Sequence, residues 1–555
     1  MAENLPIIAE IRNLSVEFHT RYGIVQAVRD VSWRITAGET LAILGESGSG
    51  KSVTAAAFMG LIDSPPGHIT QGEIFFEGAD LLSAPAETRR QINGRKAAMI
   101  FQDTLAALNP VYPIGWQVAE AFRAHGMPSA EARQRAFALL ERVGIPEARR
   151  RIDDYPHQFS GGQRQRIMIA MAIAWRPVLL IADEPTTALD VTIQAEILKL
   201  LKELQLETGM GLLLITHDIG IVSEVADRIC VMKDGQIVET GTVDEILDAP
   251  KHPYTQKLIA AMPGGKTLAA PGNLPAGEVL LSVDNLSKHY QIVSGLLRRN
   301  TGAVAKALDG ISFDIRRGET VGVVGESGSG KSTLVRTILG LEEPTGGDIF
   351  YAGKSTINVD AAEFLRLRRK IQVVFQDPSA SLHPLMSVGD IISEPWVIHP
   401  GVVKPSDYRE RVAELLTQVG LQPEHARRYP HQFSGGQRQR IAFARALALR
   451  PELIICDEAV SALDVSVQAQ IIQLLKKLQD EYGLSYLFVA HDLPVVHDFA
   501  DRVIVMNNGK IVEQGTTASI FNAPSHPYTQ KLLASDPASR RLRTAAAKAA
   551  DCFLI

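Results

Sequence analysis

The eight-residue segment GESGSGKS occurs twice in this chain, at residues 45–52 and at 325–332. Other segments recur in the same order: MIFQD returns as VVFQD, YPHQFSGGQRQRI returns unchanged, LLIADE returns as LIICDE, and THD returns as AHD. A repeat of this extent indicates duplication of a whole domain. Because 555 residues exceed what one hydrophobic core usually organises, we expect two similar domains.

The segment between the copies, MPGGKTLAAPGNLPAGE, is rich in Pro, Gly and Ala and has no helical or strand periodicity, which is typical of a linker. We therefore predict a first domain at 1–263, a linker at 264–278, a second domain at 279–538 and a tail at 539–555. Short apolar runs such as TLAILG alternate with helical stretches, which indicates an α/β fold with a mostly parallel sheet. A helix-rich insert is expected between FQD and SGGQ, and KDGQ and NNGK predict β-hairpins.

Composition excludes several classes of function. The formal net charge of -5 gives no electrostatic reason to bind nucleic acid or anionic lipid. The three cysteines form no CxxC pair, which argues against a disulfide framework, a zinc site or an iron–sulfur cluster and favours a reducing compartment. The N-terminus does not resemble a signal peptide, and no run approaches the ~20 apolar residues needed to span a bilayer. We expect no direct membrane span.

Each GESGSGKS segment matches the pattern GxxxxGK[ST], follows an apolar strand and opens a predicted helix. Its glycines allow backbone N–H groups to close around a β-phosphate, and a helix N-terminus favours negative charge. Lys51 and Lys331 are expected to reach the β- and γ-phosphates, while Ser52 and Ser332 ligate magnesium. The alternative, a glycine-rich turn before a helix, is disfavoured because the match occurs twice in the same context.

LLIADE and LIICDE are apolar strands that end in paired carboxylates. A strand end places the first acid beside the phosphate loop, so we predict that Asp183 and Asp457 contact magnesium. The second acid, Glu184 or Glu458, is the predicted general base for the water that attacks the γ-phosphate. Alone, such a pair would more often cap a helix, but the upstream phosphate loop favours catalysis.

A second anion site is predicted at each SGGQ segment, where a serine and two glycines precede a long helical stretch. Ser160 and Ser434 supply the hydroxyl groups, and the glycines supply bare N–H groups. If SGGQ stood alone, a plain serine N-cap would be the better interpretation.

Together, the phosphate loop, the FQD glutamine, the SGGQ signature, the acidic strand end and the following histidine resemble the nucleotide-binding domain of ABC ATPases, twice over nearly the whole chain. The resemblance implies two tandem P-loop ABC ATPase domains, each with a mostly parallel sheet core, an antiparallel β part and a helical subdomain. It also implies head-to-tail closure over two ATP molecules, so that Lys51 works with Ser434 and Lys331 with Ser160.

The resemblance assigns further residues. Gln102 and Gln376 would sense magnesium, the attacking water and the membrane partner, and His217 and His491 would contact the γ-phosphate. A histidine after an apolar strand is otherwise more often a core residue. The predicted catalytic residues are Glu184, Glu458, His217, His491, Gln102 and Gln376, and the predicted magnesium residues are Ser52, Gln102, Asp183, Ser332, Gln376 and Asp457.

ABC domains usually stack adenine on an aromatic side chain upstream of the phosphate loop, and Phe18 and Tyr290 occupy that position, with Tyr22 as a competing candidate. Asp190 and Asp464 would communicate between the two sites. The predicted ATP-binding residues of the first copy are Phe18, Gly45, Glu46, Ser47, Gly48, Ser49, Gly50, Lys51, Ser52, Val53, Ser160, Gly161, Gly162 and Gln163. Those of the second copy are Tyr290, Gly325, Glu326, Ser327, Gly328, Ser329, Gly330, Lys331, Ser332, Thr333, Ser434, Gly435, Gly436 and Gln437.

The chain departs from the usual family pattern at Val53, Ala459 and Val460. None of these changes removes a charged catalytic group, so we expect both sites to hydrolyse ATP with Mg²⁺. Ala459 replaces the usual proline, a change that would affect the geometry of the second ATP site.

The ending HPYTQKL, at 252 and 526, resembles the oligopeptide, dipeptide and nickel importer group. This implies an ATPase subunit at the cytoplasmic face of the inner membrane, peripheral to two permease subunits that work with a substrate-binding protein. Peptides are the expected cargo, with nickel or glutathione as alternatives. A soluble tandem ABC protein acting on ribosomes or DNA is the rival interpretation, which the short, Pro- and Gly-broken linker and the missing zinc cysteines disfavour.

Overall fold

The computed structural model describes residues 6–21, 23–186, 189–262, 277–294, 299–461 and 463–536. The chain divides into two compact units, Met1–Met262 and Pro263–Ile555, called here the first and second unit. Apart from its last two positions the predicted linker lies outside the described residues, as does the whole predicted tail, so the boundaries given above remain predictions.

The elements of the first unit are, in chain order, β1 (Ile7–Thr20), β2 (Gly23–Thr36), β3 (Thr40–Leu44), α1 (Lys51–Met59), β4 (Gly67–Phe76), β5 (Ala79–Asp80), α2 (Ala86–Ile92), β6 (Ala97–Ile100), α3 (Thr104–Ala107), α4 (Ile114–Arg123), α5 (Ser129–Arg142), α6 (Ala148–Arg151), a 3-10 helix (Pro156–Gln158), α7 (Gly161–Ala172), β7 (Leu179–Asp183), α8 (Val191–Thr208), β8 (Gly211–Thr216), α9 (Ile219–Val225), β9 (Arg228–Lys233), β10 (Gln236–Thr242), α10 (Val243–Asp248) and α11 (Pro253–Ala260).

The second unit repeats this order with β11 (Val279–Ser294), β12 (Arg299–Arg316), β13 (Thr320–Val324), α12 (Lys331–Ile338), β14 (Gly346–Tyr351), β15 (Lys354–Ser355), α13 (Ala361–Lys370), β16 (Ile371–Val374), α14 (Pro378–Ser381), α15 (Val388–Ile398), α16 (Tyr408–Gln418), α17 (Gly435–Leu447), β17 (Leu453–Asp457), α18 (Val465–Tyr482), β18 (Ser485–Val489), α19 (Leu493–Phe499), β19 (Arg502–Asn507), β20 (Lys510–Thr516), α20 (Thr517–Asn522) and α21 (Pro527–Ser535), and with 3-10 helices at Pro405–Asp407, Pro423–Arg427 and Pro430–Gln432.

A six-stranded sheet forms the core of each unit. Its strand order is β10-β9-β3-β8-β7-β6 in the first unit and β16-β17-β18-β13-β19-β20 in the second. The strands pair in parallel except for the antiparallel pairs β9/β10 and β19/β20. Strands such as β3 are buried along their whole length, as continuous apolar runs in parallel sheets are. The predicted α/β architecture is confirmed, and the loops that follow the parallel strands meet at one edge of the sheet.

A four-stranded antiparallel sheet accompanies each core sheet, in the order β2-β1-β4-β5 and β12-β11-β14-β15. The predicted hairpin at KDGQ is confirmed: Lys233 pairs with Gln236, and Asp234 and Gly235 have φ of 47° and 82°. Two consecutive positive φ values define the type I′ turn, whose twist matches that of the flanking strands. NNGK forms the corresponding turn between β19 and β20.

The predicted helical insert between FQD and SGGQ is also confirmed, as α3 to α6 in the first unit and α14 to α16 in the second. In the first unit Ala136, Leu140 and Val143 are buried and Leu139 packs against the same cluster. The helix α5 ends at Arg142, so Val143 contributes to this core from the residue that follows the helix.

Candidate functional site

The phosphate loop of each unit follows the central parallel strand, β3 or β13, and ends where α1 or α12 begins, at Lys51 or Lys331. Glycine is required at both ends of the loop. A Cβ atom on Gly45 would lie 2.2 Å from the Met232 carbonyl oxygen, and one on Gly50, whose φ is 100°, would lie 2.4 Å from the Ala27 carbonyl oxygen. The loop therefore fits against neighbouring backbone that no larger residue would allow.

The loop lysine lies buried across its own loop. Lys51 Nζ donates to the carbonyl oxygens of Gly45 and Glu46, at 2.8 Å each. Lys331 Nζ donates to Gly325 O at 2.6 Å and to Glu326 O at 3.0 Å. The ammonium group is thus fixed within the curve of the loop, the position that phosphate binding by this motif needs.

Ser52 and Asp183 are adjacent, as predicted, because α1 begins beside the carboxyl end of β7. Ser52 Oγ donates to Asp183 Oδ1 at 3.0 Å. Burial raises the pKa of Asp183 to about 6, and the Glu184 carboxylate adds to this rise, whereas the Ser52 hydrogen bond and Lys51 oppose it. Burial and the Glu458 carboxylate likewise raise the pKa of Asp457 to about 6.

These groups fit a magnesium ion. Asp457 Oδ1 is buried and has no hydrogen-bond partner among the described residues, so a hard cation would satisfy it. In the described part of the chain, no group of three His, Cys, Asp or Glu side chains is placed to hold a metal. A serine, one carboxylate and substrate phosphates are the ligand set that Mg²⁺ commonly takes in phosphoryl-transfer sites.

The predicted catalytic residues of the first unit converge on Glu184. Gln102 Nε2 donates to Glu184 Oε2 at 2.7 Å, and His217 Nδ1 lies 3.1 Å from Glu184 Oε1. Glu184 has a φ of 46°, a left-handed conformation that is uncommon for a residue other than glycine. Such backbone strain is typical of functional sites, and the sequence did not indicate it.

The second unit has a similar acid and histidine pair. His491 Nδ1 lies 3.7 Å from Glu458 Oε2, and Glu458 has a φ of 50°. The neighbouring His491 imidazole lowers the pKa of Glu458 despite burial of the carboxylate. Burial disfavours the charged form of His491, but the Glu458 carboxylate outweighs this effect and raises the pKa of His491. The pair therefore favours an ionised carboxylate, the form that a general base requires.

The signature serines act as helix N-caps. Ser160 Oγ accepts a hydrogen bond from Gln163 N at 3.3 Å, and Gln163 Oε1 accepts one from Ser160 N at 3.1 Å. Ser434 and Gln437 repeat this capping box. A Cβ atom on Gly162 would lie 2.5 Å from Ile193 Cγ2, so this glycine also allows α7 to pack closely on α8. The serines are thus N-caps, and the helix N-terminus that follows each of them is the feature that the anion-site prediction requires.

The two upstream aromatic residues differ in their surroundings. Phe18 on β1 is partly buried and packs on the apolar cluster of the antiparallel sheet. Tyr290 on β11 is 40% exposed, and its hydroxyl group donates to Glu342. Lys288 Nζ lies 5.2 Å from the centroid of the Tyr290 ring. Tyr22 lies outside the described residues, and adenine stacking remains a prediction for all three.

Matches to known protein families identify the family to which this chain belongs. The ABC transporter family matches residues 28–187 and 308–461, which together exceed half of the chain. The chain is an ABC transporter ATP-binding protein. A second family, described as the C-terminal region of oligopeptide/dipeptide transporters, matches residues 238–284 and 512–550. This ABC protein therefore carries both families twice and is an ATPase, as the sequence predicts.

Curated relatives match this ABC protein over almost its full length. The glutathione import ATP-binding protein GsiA of Pectobacterium atrosepticum is 49% identical over 97% of this chain and 91% of its own. The protein of the same name from Escherichia coli K12 is 48% identical over 97% of this chain and 90% of its own. Among solved structures, a dimer of the ATP-binding cassette MJ0796 bound to ADP and Pi is 34% identical, covers 43% of this chain and 99% of its own, and has a TM-score of 0.39.

One contact of the ABC protein's phosphate loops, with a tyrosine hydroxyl group, was not predicted from the sequence. Tyr254, in the first HPYT motif, accepts a hydrogen bond on its hydroxyl oxygen from Glu46 N at 3.4 Å. Tyr528, in the second, accepts one from Glu326 N at 3.1 Å. The only signal in the sequence was the repetition of HPYT itself, which indicated a family group and not a contact.

Proposed function

We propose that this chain is the ATP-hydrolysing subunit of an importer for small peptides, and that glutathione is the cargo to test first. The observation that carries the proposal is the match, over 97% of the chain, to glutathione import ATP-binding proteins. Glutathione is a tripeptide, so this cargo agrees with the oligopeptide/dipeptide transporter family that matches both C-terminal regions.

The site geometry supports a separate role for each of the motif residues in each unit, namely phosphate binding or proton transfer. Lys51 and the backbone N–H groups of its loop bind the β- and γ-phosphates. Glu184, oriented by Gln102 and His217, accepts the proton of the attacking water. Lys331, Gln376, Glu458 and His491 have the same roles in the second unit. The support is that Gln102 and His217 each lie within hydrogen-bonding distance of the Glu184 carboxylate.

Magnesium would be held by Ser52 and Asp183 in the first unit and by Ser332 and Asp457 in the second, with Gln102 and Gln376 as further ligands. When bound, Mg²⁺ neutralises charge on the β- and γ-phosphate oxygens. The buried Asp457 Oδ1 and the Ser52–Asp183 hydrogen bond support this assignment.

We also propose that hydrolysis uses residues of both halves, with Lys51 serving the same nucleotide as Ser434, and Lys331 the same nucleotide as Ser160. This part of the proposal is supported by the family to which the chain belongs. A single chain with two copies of every motif supplies both sets of residues.

The remaining proposals concern the assembly. Two membrane permease subunits and a substrate-binding protein would complete the importer, with this chain peripheral at the cytoplasmic face of the inner membrane. None of the helices among the described residues combines the length and the apolar character that a membrane-spanning helix needs. Co-purification tests this assignment: permease subunits are the expected companions, and ribosomes in their place would support the rival interpretation.

Uptake measurements test the cargo. Cells that lack this chain, and the same cells supplied with wild-type protein, are given labelled glutathione, a labelled dipeptide or nickel. We expect wild-type protein, but not the Lys51→Ala/Lys331→Ala variant, to restore glutathione or dipeptide uptake. Restoration of nickel uptake alone would contradict the peptide assignment, and equal restoration by the lysine variant would contradict the role of ATP.

A further inference from the structure

The HPYT motifs lie where the C-terminal segment of each unit meets the phosphate loop. From the contacts of Tyr254 and Tyr528 we infer that these tyrosines are positioning residues for the loop and thereby set its affinity for ATP. The hydrogen bonds are the Glu46 N–H to the Tyr254 hydroxyl at 3.4 Å and the Glu326 N–H to the Tyr528 hydroxyl at 3.1 Å. The inference rests on the proposed ATP sites.

The tyrosine fixes one side of a loop residue whose other side is fixed by the loop lysine. In the first unit the Glu46 N–H donates to Tyr254, and the Glu46 carbonyl oxygen accepts from Lys51 Nζ at 2.8 Å. In the second unit Glu326 is held in the same way by Tyr528 and Lys331. Because the N–H groups that follow in the loop must converge on a phosphate, fixing the Glu46 peptide preorganises them.

The tyrosine is itself held by a short chain of contacts from the neighbouring strand. Glu239 on β10 accepts the backbone N–H groups of Lys251 and His252, at 2.7 and 3.0 Å. His252 Nδ1 then accepts the Tyr254 N–H at 3.2 Å, which caps α11. Lys233 Nζ, 5.0 Å from the centroid of the Tyr254 ring, contacts the ring itself.

The second unit builds the same arrangement independently. Glu513 on β20 accepts from Ser525 N at 2.7 Å and from His526 N at 3.1 Å. His526 Nδ1 accepts from Tyr528 N at 3.1 Å. The two units differ elsewhere, for example at Lys233 and its counterpart Asn507. Both nevertheless have the same series of a carboxylate, a capping histidine and a tyrosine whose hydroxyl group contacts the phosphate loop.

Packing alone does not require the hydroxyl group. Tyr254 is only 9% exposed and lies in an apolar cluster with Ile246 and Leu258, contacts that a phenylalanine ring would keep. Replacing tyrosine by phenylalanine therefore removes the contact with the loop while retaining the ring. This makes the role of the hydroxyl separable from the role of the side chain in the core.

The test compares the full-length wild-type chain with Tyr254→Phe/Tyr528→Phe and with each single variant. The affinity for MgADP is measured by titration calorimetry, KM and kcat by steady-state ATP hydrolysis, and folding by thermal unfolding. We expect the double variant to bind MgADP about two- to tenfold more weakly, which corresponds to the usual contribution of one neutral hydrogen bond. KM should rise by a similar factor, with kcat and the melting temperature nearly unchanged.

A matched control is Tyr486→Phe, because the buried Tyr486 hydroxyl donates to Leu475 O at 3.1 Å, away from the phosphate loop. This control should lower the melting temperature and leave the affinity for MgADP unchanged. The inference is overturned if the double variant binds MgADP like the wild type, or if Tyr486→Phe weakens binding equally. If Lys51→Ala/Lys331→Ala also binds MgADP normally, the proposed ATP sites themselves are wrong.

Discussion

At the scale of single residues, the feature that distinguishes this site is the double engagement of Glu184. One carboxylate oxygen accepts from Gln102 and the other lies beside His217, while the backbone holds the residue at a φ of 46°. A carboxylate held in this way cannot rotate freely, so a general base at this position would be oriented before the nucleotide binds.

Loss of the amide partner should therefore slow turnover more than it weakens binding of the magnesium nucleotide. Gln102 donates to Glu184, the proposed general base, and hydrogen bonds to charged groups contribute about 1.5–3 kcal/mol. We expect Gln102→Ala/Gln376→Ala to lower kcat about ten- to a hundredfold in steady-state ATP hydrolysis, with KM raised by a smaller factor. A raised KM at unchanged kcat would instead place these glutamines in nucleotide binding.

At the scale of secondary-structure elements, each C-terminal helix is tied to the core sheet by one carboxylate. Partial burial alone would raise the pKa of Glu513, but the nearby Thr529 hydroxyl group and hydrogen bonds from Ser525 and His526 lower it to about 2. Burial would likewise raise the pKa of Glu239, but the nearby Thr255 hydroxyl group and hydrogen bonds from the backbone N–H groups of Lys251 and His252 lower it. The start of α21 or α11 is thus held by an ionised glutamate on β20 or β10.

The lowered pKa of Glu513 predicts that the stability of the folded protein decreases at acidic pH. A carboxylate whose pKa is lower in the folded state contributes stability above the unfolded-state pKa, about 4.3, and loses that contribution as pH falls toward 2. We expect Glu513→Gln to lower the melting temperature at pH 7 by more than it does at pH 3, measured by differential scanning calorimetry. An equal effect at both pH values would show that the charge of Glu513 does not stabilise α21.

Much of the site could be predicted from motifs because each motif places its chemistry locally. GESGSGKS contains both the loop and the first residues of α1, and LLIADE contains both a strand and the acids at its end. The contact between Tyr254 and Glu46 could not be predicted, since the two residues are 208 positions apart and meet only once the sheet has formed. The left-handed backbone of Glu184 likewise depends on its tertiary surroundings.

At the scale of the whole molecule, the duplication itself needs a reason, and the proposed sharing of each nucleotide by residues of both halves supplies one. Lys51→Ala and Ser434→Arg should act on the same nucleotide, so the double variant should hydrolyse ATP little more slowly than the slower single variant. Lys51→Ala combined with Ser160→Arg should remove nearly all turnover. The opposite pattern of additivity would show that each half uses its own signature.

ATP hydrolysis by the purified full-length chain with Glu184→Gln and Glu458→Gln combined tests the proposed catalytic role of these glutamates. Because glutamine keeps the shape of each side chain but cannot accept a proton, we predict normal binding of MgATP and a turnover lowered by about 10²- to 10⁴-fold. A folded double variant that hydrolyses ATP at nearly the wild-type rate would contradict the assignment of these glutamates as general bases, and with it the proposed mechanism of hydrolysis.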